Sequence, residues 1–259
     1  MKNFKWLCSL FVVSFIAISC SSDNDNSSNN NNTSFTVPLS IGSYWTYNIE
    51  SQNGAARDSL YISNDTLIGG NTYKKFKTKN LPVGFYASSL NNNGVRKDGN
   101  KLLLTGSLAI GTAQGLPTDI AIDLVDFVIF DGNASNASTL DTFNGTFSQQ
   151  YNGLTLTFNY TLKTTSGENF ANYTSNGETY ADVKSTVVTL NLTVSTILGT
   201  IINNQEVLRS TQYLANNIGV IATQTTFSYS IDPTIADGLG IPATTTQNQE
   251  EFLDTYNVD

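Results

Sequence analysis

Seven cations crowd one stretch of an acidic chain. Lys74, Lys75, Lys77 and Lys79 come first, and Arg96, Lys97 and Lys101 follow on the next expected hairpin. Together they could hold an anionic glycan or a lipid headgroup; the plainer expectation is that Lys on exposed strands solubilises a sheet and guards its edge. Asp119, Asp123 and Asp126 offer the hard oxygens that calcium takes. Their spacing matches no EF-hand loop, and in a strand Asp126 points away from the other two, so no metal is expected. Fifteen acids lie between residues 102 and 259, yet none forms an evident pair of the kind glycoside hydrolysis needs, about 5–9 Å apart in a cleft. Tyr44, Trp45 and Tyr47 could stack on sugar faces, although Trp45 and Tyr47 share a strand face and are expected to fill a core. The chain has no His, which removes Ser-His-Asp and Cys-His catalysis and His-ligated zinc. Gly-rich phosphate-binding fingerprints are absent too, and no cofactor is expected.

Those side chains must be carried by strands. Leu154, Leu156, Phe158, Tyr160 and Leu162 alternate with polar residues, as do Val188 to Val194 and Phe227 to Ile231, and Trp45, Tyr47 and Ile49. Turn signals separate the runs: Gly69-Gly70-Asn71, Asn91-Asn92-Asn93-Gly94, Asp98-Gly99-Asn100, Asp131-Gly132-Asn133 and Asn203-Asn204. About a dozen strands joined by short turns predict an all-β fold, a strongly curled antiparallel sheet or open β-barrel. Residues 35–259 read as a single domain. The stretch 247–256 could begin as a short helix, but a closing strand over 252–258 is the better reading.

Ser, Thr and Asn supply 90 of the 259 residues, whereas only 13% are charged. Solubility therefore rests on hydroxyls and amides. Residues 102–259 carry three Lys/Arg against fifteen Asp/Glu, a balance that argues against nucleic acid as a partner.

The amino terminus carries an address. Lys2 and Lys5 precede a twelve-residue apolar run, Leu7 to Ile18, too short to span about 30 Å of hydrocarbon. Residues 1–19 thus read as a signal peptide. Ala17-Ile18-Ser19-Cys20 resembles a bacterial lipobox, and the resemblance implies that Cys20 becomes the lipidated first residue of the mature protein. Each buried CH₂ contributes about 0.8 kcal/mol, so several acyl chains hold such a protein firmly at a membrane. Residues 21–34 contain no apolar side chain, and residues 20–34 read as the lipidated Cys and a disordered tether. With Cys8 and Cys20 accounted for, no disulfide is expected.

Pro38-Leu39, Gly42, Trp45 and Tyr47 resemble the opening strand of uncharacterised Bacteroidetes-type lipoproteins. Asp65 to Tyr73, Tyr180 to Val183 and Tyr213 to Val220 are similar to further pieces of that group. The resemblance implies a β-rich fold, an outer-membrane location and no assigned activity. The acidic residues after Cys20 resemble surface-export signals, with the periplasmic face as the alternative. Asp58-Ser59-Leu60 and Asp65-Thr66-Leu67 resemble O-glycosylation sites of that phylum, with Ser59 and Thr66 as acceptors. Three functions remain open. The first is a non-enzymatic envelope lipoprotein binding a small hydrophobic ligand or an envelope partner in a concavity. The second is an adhesive or structural surface module that contacts glycan or protein, and the third a carboxylate-dependent glycoside hydrolase.

Overall fold

Period-two alternation becomes strand almost throughout. The computed structural model describes residues 35–111 and 119–258. The signal peptide, Cys20 and the tether lie outside the described residues. In chain order the elements are β1 (Tyr44–Ser51), β2 (Gly54–Ile68), β3 (Asn71–Thr78), α1 (Phe85–Leu90), β4 (Gly94–Asp98) and β5 (Lys101–Ile110). There follow β6 (Ile120–Asp131), β7 (Thr139–Tyr151), β8 (Leu154–Ser175), β9 (Glu178–Thr196), β10 (Gly199–Ala215), β11 (Gly219–Ser230), α2 (Pro233–Leu239) and β12 (Thr244–Asn257).

The twelve strands form one antiparallel sheet in the order β6-β5-β4-β3-β2-β1-β12-β11-β10-β9-β8-β7. The first and last strands pair with each other, Tyr47 opposite Leu253. The two free edges, β6 and β7, are consecutive in the chain, so the sheet curls into a barrel that stops just short of closure. Across this seam the Val128 amide donates to Asp141 Oδ2 at 2.9 Å. Further in, Thr186 Oγ1 on β9 donates to the Ile129 carbonyl at 3.3 Å, and Lys184 Nζ donates to the Gly132 carbonyl. The lower half of β6 therefore tucks against the inner face of β9.

Most inward positions are apolar and most outward positions polar, the reverse of the pattern of a membrane-spanning barrel. Along β8, Leu156, Phe158 and Leu162 are buried. They join Leu60, Ile122, Leu190 and Leu208 in a single core that fills the interior. All core residues and ladders described here lie within the compact unit Ser34–Asp259, which holds everything it needs to fold by itself.

Because the strands run up and down in sequence, the connections alternate between two ends. Phe35 enters at one end, its ring 5.2 Å from that of Phe130, while the Asn217 amide donates to the Thr36 carbonyl at 2.7 Å. At the opposite end α2 covers the mouth. Asp232 caps it by accepting from the Thr234 amide at 2.8 Å, Pro233 opens it, and Gly240 ends it in the left-handed conformation.

Two expectations need correction. Asn203-Asn204 is not a turn but part of β10, at an irregularity where the register passes from Ile202↔Val194 to Gln205↔Leu192. The turn falls at Ile197-Leu198 instead, where Thr196 Oγ1 accepts from the Leu198 amide and donates to the Gly199 carbonyl. The closing strand begins at Thr244, eight residues before its expected start at Phe252.

Candidate functional site

Three places could do chemistry: the interior, the former cation cluster and the outer face.

Inside the barrel, α1 is threaded between β3 and β4 with Phe85, Ala87 and Leu90 buried. A helix of six residues cannot satisfy its own first amides, so neighbouring strands do it. Asp58 of β2 accepts from the Val83 and Gly84 amides, at 3.0 and 2.8 Å. Gln249 of β12 accepts from Phe85 at 2.7 Å, and Glu251 Oε1 accepts from Tyr86 at 2.7 Å and from Thr223 Oγ1 at 3.1 Å. Glu251 is fully buried and Asp58 only 4% exposed. Burial pushes the Glu251 carboxyl up to about 7, against the pull of its amide and hydroxyl donors. Burial likewise raises Asp58, opposed by the two amides. Gly84 is required here, since a Cβ would stand 2.1 Å from Glu251 Oε2.

The pair resembles the carboxylate couple of a hydrolase only in being close and buried. The two Asp58 oxygens and Glu251 Oε1 accept from the amides of residues 83, 84 and 86, while Glu251 Oε2 is buried without a hydrogen-bond partner, so the pair works as a clamp on the start of the helix. Sequence reasoning missed Asp58, Gln249 and Glu251. The only signal was polar residues at the inward positions of β12, which also erased its alternation.

Core side chains occupy most of the expected concavity for a hydrophobic ligand. Two apolar voids against the core measure about 30 and 40 Å³, one beside α1 and one under α2, and a third cavity of about 260 Å³ lies at the barrel end beside Leu81, Val83, Phe227 and Gln249. A small-molecule site needs roughly 300 Å³ or more.

The cation cluster and the Asp series meet in one ion pair, Arg96 with Asp126. Arg96 Nε and Nη2 each donate to Asp126 at 2.8 Å, and Tyr73 Oη donates to Asp126 Oδ1 at 2.6 Å. The guanidinium holds Asp126 below the usual carboxylate range, and the carboxylate raises Arg96 in turn. Lys74 pairs with Asp65 at 2.6 Å, and Lys75 donates to the Asn92 carbonyl. Lys97 is lowered by burial and, with Lys101, flanks a small cleft near Phe35. Lys77 is half-buried and Lys79 exposed. Among the described residues no group of three acids, His or Cys is placed to hold a metal. Asp123 lies on the exposed side of β6, and Asp119 precedes that strand.

The aromatic trio divides. Trp45 and Tyr47 are buried, Trp45 Nε1 donating to the Ile218 carbonyl at 2.7 Å and Tyr47 Oη to the Val220 carbonyl at 3.0 Å. Neither ring is open to a sugar; Tyr44 alone of the three is exposed. Ser59 sits on a central strand between buried Asp58 and Leu60, whereas Thr66 lies near the end of β2 beside exposed Leu67.

On the outer face of β7 to β10 lies a broad, shallow trough of about 640 Å³, lined by Asn144, Thr146, Asn159, Tyr160, Thr161, Asn191, Thr193 and Asn204. Cross-strand pairing explains it: Thr146, Asn159 and Thr193 lie in one row, Asn144, Thr161 and Asn191 in the next. Thr146 Oγ1 donates to Asn159 Oδ1 at 2.7 Å, and Thr161 Oγ1 to Asn144 Oδ1 at 2.6 Å. Each bond uses the Asn carbonyl and leaves its NH₂ donors and the Thr lone pairs for another partner.

No protein-family model matches the chain, and no curated protein does. Among solved structures it is similar to one described as a lipoprotein, so far only by inference, from Parabacteroides distasonis. The identity is 12% and the TM-score 0.39, over 86% of this chain and 99% of that one. A likeness of that size carries neither fold nor function. The fold stands on the strand ladders themselves.

Proposed function

We propose that the chain is an outer-membrane lipoprotein held through Cys20, whose β body is a non-enzymatic adhesive module that engages uncharged glycan across its outer sheet face. The observation that carries this reading is the trough on β7 to β10. The outward side chains that line it are all amides and hydroxyls, the groups that match sugar hydroxyls, with no charged side chain.

The test is a glycan array probed with the body, residues 34–259, beside an Asn191→Ala/Thr193→Ala variant. Retention of neutral oligosaccharides is expected, weakened about tenfold by the loss of two hydrogen-bonding side chains. An array left blank, or binding indifferent to the two substitutions, overturns the reading. The anchor is tested separately: acyl labelling of the full chain in a bacterial host should vanish in Cys20→Ala.

A further inference from the structure

The barrel's seam leaves two strand edges that treat their exposure differently. On β6, Asp123 and Asp126 stand along the edge strand, Asp126 has a positive φ, and the Val128 amide is taken by Asp141. Acids and irregular backbone are devices that keep an edge from pairing. Among the described residues strand β7 forms a ladder with β8 alone, through residues 139–151, and above Asp141 it carries none of these protections: no Lys, no Arg, no Pro and no further acid. Its inward residues Phe143 and Phe147 remain half-buried where comparable positions on β8 are buried.

The sequence of this edge is self-complementary. About Gly145, an antiparallel copy sets Phe143 opposite Phe147, Asn144 opposite Thr146 and Thr142 opposite Ser148, each pair occurring twice. The aromatic pairs fall on the inner face and the polar pairs on the outer, as the strand already arranges them. No like charges meet, because Asp141 lies opposite Gln149.

We propose that the β7 edge is a self-association surface, at which residues 142–148 of two copies pair antiparallel about a two-fold axis through Gly145. Such an interface is isologous and closes at two copies. It joins the two outer faces into one continuous sheet, so the neutral troughs lie side by side. Asn144 and Thr146 also line the trough, so this proposal is read by association state alone, whereas the glycan reading is tested through Asn191 and Thr193 on β9. Antiparallel pairing also turns the two ends at which Phe35 enters in opposite directions.

Sedimentation equilibrium of the body tests the proposal. The unsubstituted body should be a dimer. In Asn144→Lys/Thr146→Lys, Lys residues oppose each other twice across the axis, and the dimer should weaken by about tenfold or more. In Asn144→Lys/Thr146→Glu the same two sites oppose Lys to Glu, and dimerisation should return. Both positions are exposed, and circular dichroism of each variant confirms that it folds. A monomer at every concentration up to the solubility limit overturns the proposal, as does a Lys/Lys variant that dimerises like the parent. Failure of the Lys/Glu variant to recover overturns the register.

Discussion

Glu251 makes the clamp on α1 sensitive to pH, and its sign follows from burial. The carboxyl titrates at about 7 in the folded chain against an ordinary 4.5. Between those values the folded state holds a proton that the unfolded state has released, so stability falls as pH rises from about 4.5 to 7 and levels off above. The interval of roughly 2.5 units corresponds to about 3 kcal/mol, at 1.36 kcal/mol per unit. Glu251→Gln keeps the shape and the oxygen that accepts from Tyr86 and Thr223, but never acquires the charge. It should match the parent near pH 4.5 and be more stable by up to about 3 kcal/mol at pH 8. Urea unfolding of the body at several pH values, followed by fluorescence, measures the difference. Trp45 is the one tryptophan in residues 34–259 and is buried, so the signal reports the body's own core. A Gln variant no more stable than the parent at pH 8 would refute the reasoning. It would show that the α1 amides and Thr223 satisfy the anion more fully than burial penalises it.

Arg96→Met should raise the titration of Asp126, visible by carbon NMR of its carboxylate, and cost about 1–2 kcal/mol near neutral pH. The sign is opposite to that of Glu251. Asp126 is held low, so its contribution is present above the ordinary Asp range and disappears as pH falls through its folded value; the variant should lose that acid limb. Gly145→Ala places a methyl 2.2 Å from where Tyr160 Oη now lies. It should displace the ring and destabilise the body by about 1–3 kcal/mol in urea melts. Ile197 and Leu198 are 97% and 85% exposed at a two-residue turn and neither has a positive φ, so Ile197→Asp/Leu198→Ser, which exchanges exposed apolar side chains for polar ones on the same backbone, should leave the melting temperature unchanged. A fall would reveal a contact that these side chains make.

The strands with an apolar inner face were legible because burial and period coincide. Leu156, Phe158 and Leu162 alternate in the sequence and are buried in the barrel. Turns at Gly69-Gly70 and Gly99-Asn100 were legible because glycine takes the positive φ found there, 87° at Gly70 and 58° at Gly99. The first half of β12 was not, although its end was expected as a closing strand at 252–258, because Gln247, Gln249 and Glu251 face inward, and Gln249 and Glu251 meet the amides of α1 rather than apolar side chains. That polarity only makes sense once a helix is known to lie inside the barrel, and six residues are too few to announce one. Asp58 was hidden for a related reason. Its triplet with Ser59 and Leu60 reads as a surface modification signal, whereas the carboxylate points inward to Val83 and Gly84. Long-range partners decide such cases, and a single sequence does not display them.

The high Ser, Thr and Asn content also gains a physical reason. Outer rows on β7, β8 and β9 solvate the sheet through hydroxyls and amides that bond across strands, as Thr146 does with Asn159 and Thr226 with Asn248 between β11 and β12. A neutral face of this kind suits polar, uncharged ligands, but it gives up the repulsion by which charged surfaces keep proteins apart. Protection against unwanted pairing then falls on the strand edges alone. In a fully closed barrel there would be none to protect. Here β6 carries acids and β7 above Asp141 does not, so the one unguarded edge is also the one whose sequence pairs with itself. Guarding both would have needed a single Lys among Thr142, Asn144 and Thr146, and its absence is what the Lys variants restore.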